Sequence, residues 1–558
     1  MRRVSYKSLI GYCLIALSFF CISSDTLGWN KVYQDYFLAG DLYYQVLTRT
    51  DSTGTVAVIS ASRADETLTI PDFVECDDIT YEVTEIRDLG TSAVKYVMIG
   101  SHLTAITDYA FVSCDDLAEL SVSSDNLNYS SKDGILFNKQ QTVLVKYPKA
   151  KEGDFYAIPD TVVTIGRRAF EGCINLTDIT IPDNVTSIDF GAFQGCSYLK
   201  NIVIPDSVTS IGGWAFMWCA GLTDVTLGKG ITSIGESAFE SCSSLKHITI
   251  PDNVTSIAPY AFDGCRSLES IVIPNSVTTI SYSLFSRCLN LKNITIPDSV
   301  TSIGIYAFVY CNSLESIVIP DSVTSIAEDC FNWCNSLTNI TIGSGVVSIG
   351  KDAFQFNPNL TEISVSERNK VYSSVNGVLF NKDRTELIQY PAGKKEATYV
   401  IPDGVTSIGR SGILECSNLE NLIVPDSVIS IGEYSFEGCI HLSRVFYQGN
   451  VPSVGFYAYH GTPDTLINYY PEGDPSWEAA VVDGQWQDKK AENWNPPCCP
   501  DTGIGYSLCK EDGVLILNFK GNLEESVDAV NWRYISDAHD FYIVDTTQHR
   551  KYYRAVAQ

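Results

Sequence analysis

Apolar and polar positions keep one rhythm along most of the chain. In Leu176-Thr177-Asp178-Ile179-Thr180-Ile181, apolar residues at 179 and 181 alternate with polar ones. The alternation predicts a short strand that turns Ile179 and Ile181 inward and leaves Asp178 and Thr180 on an open face. Pro182 ends that strand, because it has no N–H to give to a ladder. Asp183 or Asn184 can close the turn through a side-chain acceptor. A second extended piece then buries Val185 and Ile188. Ala192-Phe193 is expected to begin a short helical segment whose Phe fills the interior and which ends at Cys196.

The set restarts at Ile204-Pro205-Asp206. The residue in this anchor position falls at Ile158, Ile181, Ile204, Leu227, Ile250, Ile273, Ile296, Ile319 and Ile342, nine positions at an unbroken spacing of 23. A fixed period of this length means a solenoid, in which one unit cannot bury its apolar side alone and the core forms only when neighbours stack. The spacing Leu-x-x-Ile-x-Ile is that of a leucine-rich repeat. With the Ile-Pro-Asp, Ala-Phe and Cys positions it resembles the BspA-type leucine-rich repeats of bacterial and protist surface proteins, over roughly residues 40 to 487. The resemblance implies a β-rich leucine-rich-repeat solenoid with one short strand, a second extended piece and a short helical segment per turn.

Departures from the period divide the chain. Residues 29–98 do not keep it. Tyr43–Leu47 and Thr55–Ile59 alternate like the strands of a hairpin, and the segment reads as an N-terminal β-rich cap. The array runs over 99–446. Hairpin insertions fall in 122–157 and 365–400, where Tyr129-Ser130-Ser131 with Gly134–Lys139 recurs 243 residues later as Tyr372-Ser373-Ser374 with Gly377–Lys382. Each insertion adds 13 residues and is expected to bulge from the stack without disturbing register elsewhere. Residues 447–487, with Gly449-Asn450-Val451-Pro452 and Trp477, resemble the closing unit of the family and form the C-terminal cap turn. Residues 488–500 read as a linker by composition. Residues 501–558 form a small all-β module, similar to those that end many secreted bacterial proteins.

Composition sharpens the compartment. The formal net charge of -28 makes nucleic acid and anionic membrane poor partners. Arg2, Arg3 and Lys7 precede an apolar run from Leu9 to Phe20, which reads as a signal peptide over 1–28; an uncleaved anchor is the alternative. Nothing else in the sequence is long and apolar enough to span a bilayer. Eleven of the 18 cysteines hold one position of successive turns: Cys114, Cys173, Cys196, Cys219, Cys242, Cys265, Cys288, Cys311, Cys334, Cys416 and Cys439. In register they point the same way, which is poor disulfide geometry, so a reduced ladder is expected. Cys498, Cys499 and Cys509 stand outside it, and one disulfide among them is an expectation.

Catalytic chemistry finds no footing in these patterns. The six histidines are scattered, without a nucleophile or paired ligand at a meaningful spacing. His247 lies in an outward column between Asp224 and Ser270, on a flat sheet with no oxyanion donor. No cofactor or metal is expected: the Asp that follows each Pro serves turn formation, with a calcium ladder as the alternative. One edge differs. Beside Ala-Phe stand Trp214, Met217, Trp218, Tyr260, Tyr282, Tyr306, Tyr310 and Trp333, together with Phe190, Phe356 and Tyr434, where other turns carry Arg167-Arg168, Glu236 or Glu328-Asp329. An exposed apolar stripe of this kind marks contact with proteins or sugars. The expectation is a non-enzymatic secreted or cell-surface scaffold that binds an extracellular protein or polysaccharide. The alternative is a structural component that self-associates in an extracellular or envelope assembly.

Overall fold

The computed structural model describes residues 35–61, 66–90 and 93–494, and beyond these the strands Tyr506–Glu511, Val514–Phe519, Asn522–Ser526, Arg533–Ile535, Phe541–Val544 and Tyr552–Val556. The expected signal peptide and residues 495–500 of the expected linker, with Cys498 and Cys499, lie outside the described residues, as does the side chain of Cys509. Two compact units divide the chain at Lys139 and Gln140.

The first unit opens on a hairpin, Leu42–Arg49 antiparallel to Thr53–Ala61, and the second of these strands pairs parallel with Ile79–Ile86. A second sheet carries the repeat: Thr67–Ile70, Tyr96–Ile99 and Glu119–Val122 are parallel and in register, with Ile70 opposite Ile99 and Ile99 opposite Val122. Another hairpin follows, Tyr129–Lys132 against Ile135–Asn138. Its entry is organised by fully buried Asn126, whose amide donates to the carbonyls of Gly100 and Leu103 while its oxygen accepts from the backbone of Asn128 and Tyr129.

In the second unit regular turns are bonded to their neighbours along three runs, with the first-strand ladder interrupted after Thr180 and after Thr295 and the second-strand ladder after Ile257. First strands such as Asn201–Val203, Asp224–Thr226 and His247–Thr249 pair parallel, residue opposite residue 23 on. Second strands, Ser187–Ile188, Ser210–Ile211 and Ser233–Ile234, do the same. Identical register follows from the period, because a slip by one residue would turn Ile202 and Ile211 out of the core. Inside, phenylalanine rings form one column from Phe170 through Phe193, Phe216, Phe239, Phe262, Phe285, Phe308 and Phe331 to Phe354. Neighbouring centroids lie 4.9 Å apart at Phe170–Phe193 and 5.9 Å at Phe331–Phe354. Each ring is almost wholly removed from water, worth about 2 kcal/mol or more per side chain.

The third run corrects the sequence reading. The Ala-Phe segment is not a helix but a chain of tight turns. Alternate N–H groups point to the next turn: Arg168 donates to the Phe190 carbonyl (3.0 Å), Phe170 to Ala192 (2.7 Å) and Gly172 to Gln194 (2.8 Å). The groups between them bond three residues back, Ala169 to Gly166 and Cys173 to Phe170. Left-handed residues produce this alternation, one just before Ala and one just before Cys in each turn, as at Arg168 (φ 55°) and Gly172 (φ 71°). Helix needs a run of right-handed residues, so it cannot form here. The one helix among the described residues, Pro475–Ala480, lies in the closing turn. Asp474 caps its N-terminus, and Trp477 is buried beneath Gly449, whose carbonyl accepts its indole N–H (2.9 Å).

The 365–400 insertion also differs from expectation. Tyr372–Val375 and Val378–Asn381 form a hairpin, and Glu386–Gln389 extends it before pairing parallel with Ser407–Ile408. The hairpin does not bulge from an unbroken stack, because Val378, Leu379 and Phe380 are themselves buried core. The first-strand ladder ends at Glu362–Val365, where Ile363 donates instead to the Gly377 carbonyl, and a new ladder begins at Thr398–Val400. Beyond the strand Lys489–Trp494, two three-stranded sheets are described. Tyr506–Glu511, Val514–Phe519 and Phe541–Val544 make one; Arg533–Ile535, Asn522–Ser526 and Tyr552–Val556 make the other.

Candidate recognition edge

The left-handed positions decide where the aromatic residues stand. Trp214 (φ 59°), Tyr260 (58°), Tyr306 (57°) and Tyr434 (57°) occupy the first such position of their turns. Trp218 (63°), Tyr310 (61°), Trp333 (60°) and Phe356 (56°) occupy the second. Gly172, Gly195, Gly264, Gly438 and Gly461 hold that second position elsewhere. Glycine is free of the penalty that a bulky L-residue meets here, roughly 1–2 kcal/mol. Large rings on this backbone therefore run against local preference.

The expected stripe resolves into two clusters. In one, Phe190 and Trp214 are 4.8 Å apart, and the guanidinium of Arg167 lies 5.0 Å over the Phe190 ring, with that of Arg168 at 5.6 Å. Trp218 is 52 % exposed in the same turn as Trp214. Ser237 and Ser241 hold the two left-handed positions of the next turn. The other cluster chains Tyr260, Tyr282 and Tyr306 edge to face at 5.0 and 5.7 Å, and stacks Tyr310 on Trp333 at 5.9 Å and Trp333 on Phe356 at 4.6 Å. Tyr310 is 42 % and Trp333 38 % exposed; Tyr306 is similar, while Tyr260, Tyr282 and Phe356 are half-buried. Burial, and then the neighbouring Tyr282, push the Tyr260 hydroxyl up to about 12. Met217 does not belong to the exposed stripe: it is buried, at 8 % exposed.

Sequence reasoning missed a group beyond the insertion. The Arg410 guanidinium lies 4.6 Å over the Tyr434 ring and reaches Glu433 (2.5 Å) and Asp352 (3.5 Å). Next along, Tyr434 packs 5.9 Å from Tyr457, and Phe456 and Tyr457 are both exposed. The signal was present in the sequence, since Arg410 and Tyr434 occupy the same repeat positions as Arg167 and Trp214, but the insertion obscured the count.

The remaining candidates sort by geometry. Outward residues of the first strands, Asp224, His247 and Ser270 among them, stand in flat register. Asp206 and Asp321 of the post-proline column accept the backbone N–H of Lys229 (2.7 Å) and Ser344 (2.6 Å) in the following turn. The Ser344 N–H holds the Asp321 carboxyl below its ordinary range. No group of three or more His, Cys, Asp or Glu among the described residues is placed to hold a metal. The repeated thiols have a donor's role: Cys196 bonds the Phe170 carbonyl (3.0 Å), Cys265 that of Phe239 (3.2 Å) and Cys334 that of Phe308 (3.2 Å). Where Asn357 replaces Cys, its amide bonds the Phe331 carbonyl (3.0 Å) in the same way. Burial pushes the thiols up, Cys334 to about 12.

Fold and repeat together define a leucine-rich-repeat solenoid. The model of the BspA type leucine rich repeat region matches residues 84–146, 163–291, 255–382 and 392–464, more than half of the chain, and the chain belongs to that family. Solved structures resemble it. A leucine-rich repeat protein from Eubacterium ventriosum is 31% identical over 41% of this chain (TM-score 0.38), and the match spans 65% of that protein's length. One from Bacteroides ovatus is 24% identical, covering 82% of this chain and 100% of that one (TM-score 0.48). A leucine rich cell surface protein from Faecalibacterium prausnitzii is 26% identical, covering 77% and 97% (TM-score 0.37). No curated protein matches. No helix among the described residues is long and apolar enough to cross a membrane.

Proposed function

We propose that the chain is a non-enzymatic, secreted or cell-surface recognition scaffold that binds an extracellular protein or polysaccharide through its aromatic edge. One observation carries the reading: exposed Trp and Tyr rings stand at left-handed backbone positions that glycine fills in other turns. The fold could place glycine or serine there at lower local cost, so the rings are explained by what they touch and not by the turn. Membership of a repeat-scaffold family is consistent with this. The test is an array of purified extracellular proteins and polysaccharides probed with the full chain and with two double variants, Trp214→Ala/Trp218→Ala and Tyr310→Ala/Trp333→Ala. At least one variant should lose binding while keeping its circular dichroism. Binding unchanged in both removes the reading, and concentration-dependent self-association without a foreign ligand favours a structural component instead.

A further inference from the structure

The second aromatic cluster carries an acidic margin. Asp329 accepts from the Tyr306 hydroxyl and the Asn332 amide, and lies beside Glu328 and Asp352. Burial, then Asp352 and Glu328, raise the Asp329 carboxyl above its ordinary range, so negative charge is crowded at this point. Arg410 is shared between Asp352 and Glu433 and covers Tyr434, while Arg287 is committed to Asp263. The rings of Tyr306, Tyr310 and Trp333 have no guanidinium over them among the described residues. Elsewhere on this edge arginines already lie over rings: Arg167 and Arg168 on Phe190, and Arg410 on Tyr434 with carboxylates on either side.

We infer that the surface formed by Tyr306, Tyr310 and Trp333 with Glu328 and Asp329 docks an arginine-bearing, basic segment of a protein partner. The inference rests on reading the edge as a contact surface and names its occupant. An incoming guanidinium would meet an aromatic surface and a carboxylate, the combination that Arg410 already makes inside the chain. Arginine suits the site better than lysine, because its planar head can lie on a ring and pair with a carboxylate at once. A neutral sugar is a poorer match. Trp333 lies between Tyr310 and Phe356, with 18° and 2° between planes, so both its faces are covered. A guanidinium can therefore lie only on Tyr306 or on the outer face of Tyr310, whereas a neutral sugar would leave the charge of Glu328 and Asp329 unbalanced. Charge complementarity chooses the partner: the chain carries a formal -28, and Asp329 and Glu328 stand beside the exposed ring of Tyr306.

Fluorescence anisotropy with the full chain tests it, using a labelled Gly-Arg repeat decapeptide, its Lys counterpart and its Glu counterpart. The Arg peptide should bind most tightly and weaken with salt, and the Glu peptide should not bind. Tyr310→Ala/Trp333→Ala and Glu328→Gln/Asp329→Asn should each weaken the Arg peptide about tenfold. Val203→Ala/Val272→Ala, on the outward face of the first strands, should leave it unchanged. The acidic-site variant removes two charges from a strongly acidic chain, so general attraction would barely change. Equal binding to wild type and both patch variants overturns the inference as unspecific attraction. If an array partner is lost with Tyr310→Ala/Trp333→Ala yet the Arg peptide fails to bind, the contact surface stands and the arginine assignment falls.

Discussion

The regular turns from Thr164 to Asn357 and the inserted turn from Leu360 to Val400 are built from the same residue types, yet they are bonded differently. In the regular turns most strands meet their copy 23 residues on, each ring its copy and each thiol the carbonyl of the turn before. At the insertion all three series break. The first-strand ladder stops at Val365, the ring column stops at Phe354, and Asn357 stands where Cys is expected. Side-chain amides take over part of the joining: Gln389 donates to the Phe354 carbonyl (3.2 Å) and Gln355 to the Ser411 carbonyl (3.0 Å). The buried residues from Val378 to Ala491 make a core cluster of their own. Repetition thus supplies an additive core, and the insertion replaces it locally with a few specific polar bonds.

The largest test of this contrast is truncation of a ring. Phe262 lies between Phe239 and Phe285, so Phe262→Ala should cost about 3–5 kcal/mol and lower amide protection on both sides of its turn. Phe380→Ala in the inserted hairpin should cost a comparable amount, with protection lost mainly within 378–491. Hydrogen exchange that shows both losses spread evenly over residues 164–494 would break the comparison.

A smaller effect is expected at the junction itself. Gln389→Ala leaves the Phe354 carbonyl to the Asn357 amide alone (2.7 Å) and should cost about 1–2 kcal/mol, through one lost bond and a removed buried side chain. Graded denaturant followed by thiol alkylation would locate the loss. Buried thiols of raised pKa should resist the reagent at pH 8 in the native chain. Cys416 and Cys439 should then label before Cys219 and Cys242 in the variant, and simultaneous labelling would show that the junction is not a weak point.

Next come the thiol donors. Cys265→Ala should cost about 1–2 kcal/mol, through a lost bond to the Phe239 carbonyl and a small cavity. Asn357→Cys restores the column at its break but should cost about as much, because the Asn357 oxygen also accepts the Cys334 N–H (2.8 Å) and its amide donates to the Phe354 carbonyl (2.7 Å).

The smallest effect belongs to the closing helix. Bonds from Ser476 hold the Asp474 carboxyl below its ordinary range. Its stabilising contribution is therefore present above the unfolded value, about pH 4, and is lost as pH falls through the lowered value. Asp474→Ala should cost about 1 kcal/mol at pH 7 and progressively less in acid, read from Tm against pH.

Much of this was legible in the residues. The spacing of 23 gave strand positions, register and the inward set Ile179, Ile181, Val185 and Ile188. The same alternation placed Asp178 and Thr180 outward, where the structure has them. The aromatic stripe could be listed from sequence, but its division into two clusters, the burial of Met217 and the grouping of Arg410 with Tyr434 and Asp352 could not.

The chain by itself determined the repeating register, because a period that returns apolar residues to the same phase admits only one way to stack without exposing them. Tertiary structure decided the rest. Whether Ala-Phe lies in a helix or in left-handed turns depends on bonds to the neighbouring turn, and residues 22 positions apart in sequence supply them. The place where the ladders break, and which rings meet, likewise depend on partners that exist only once the turns are assembled.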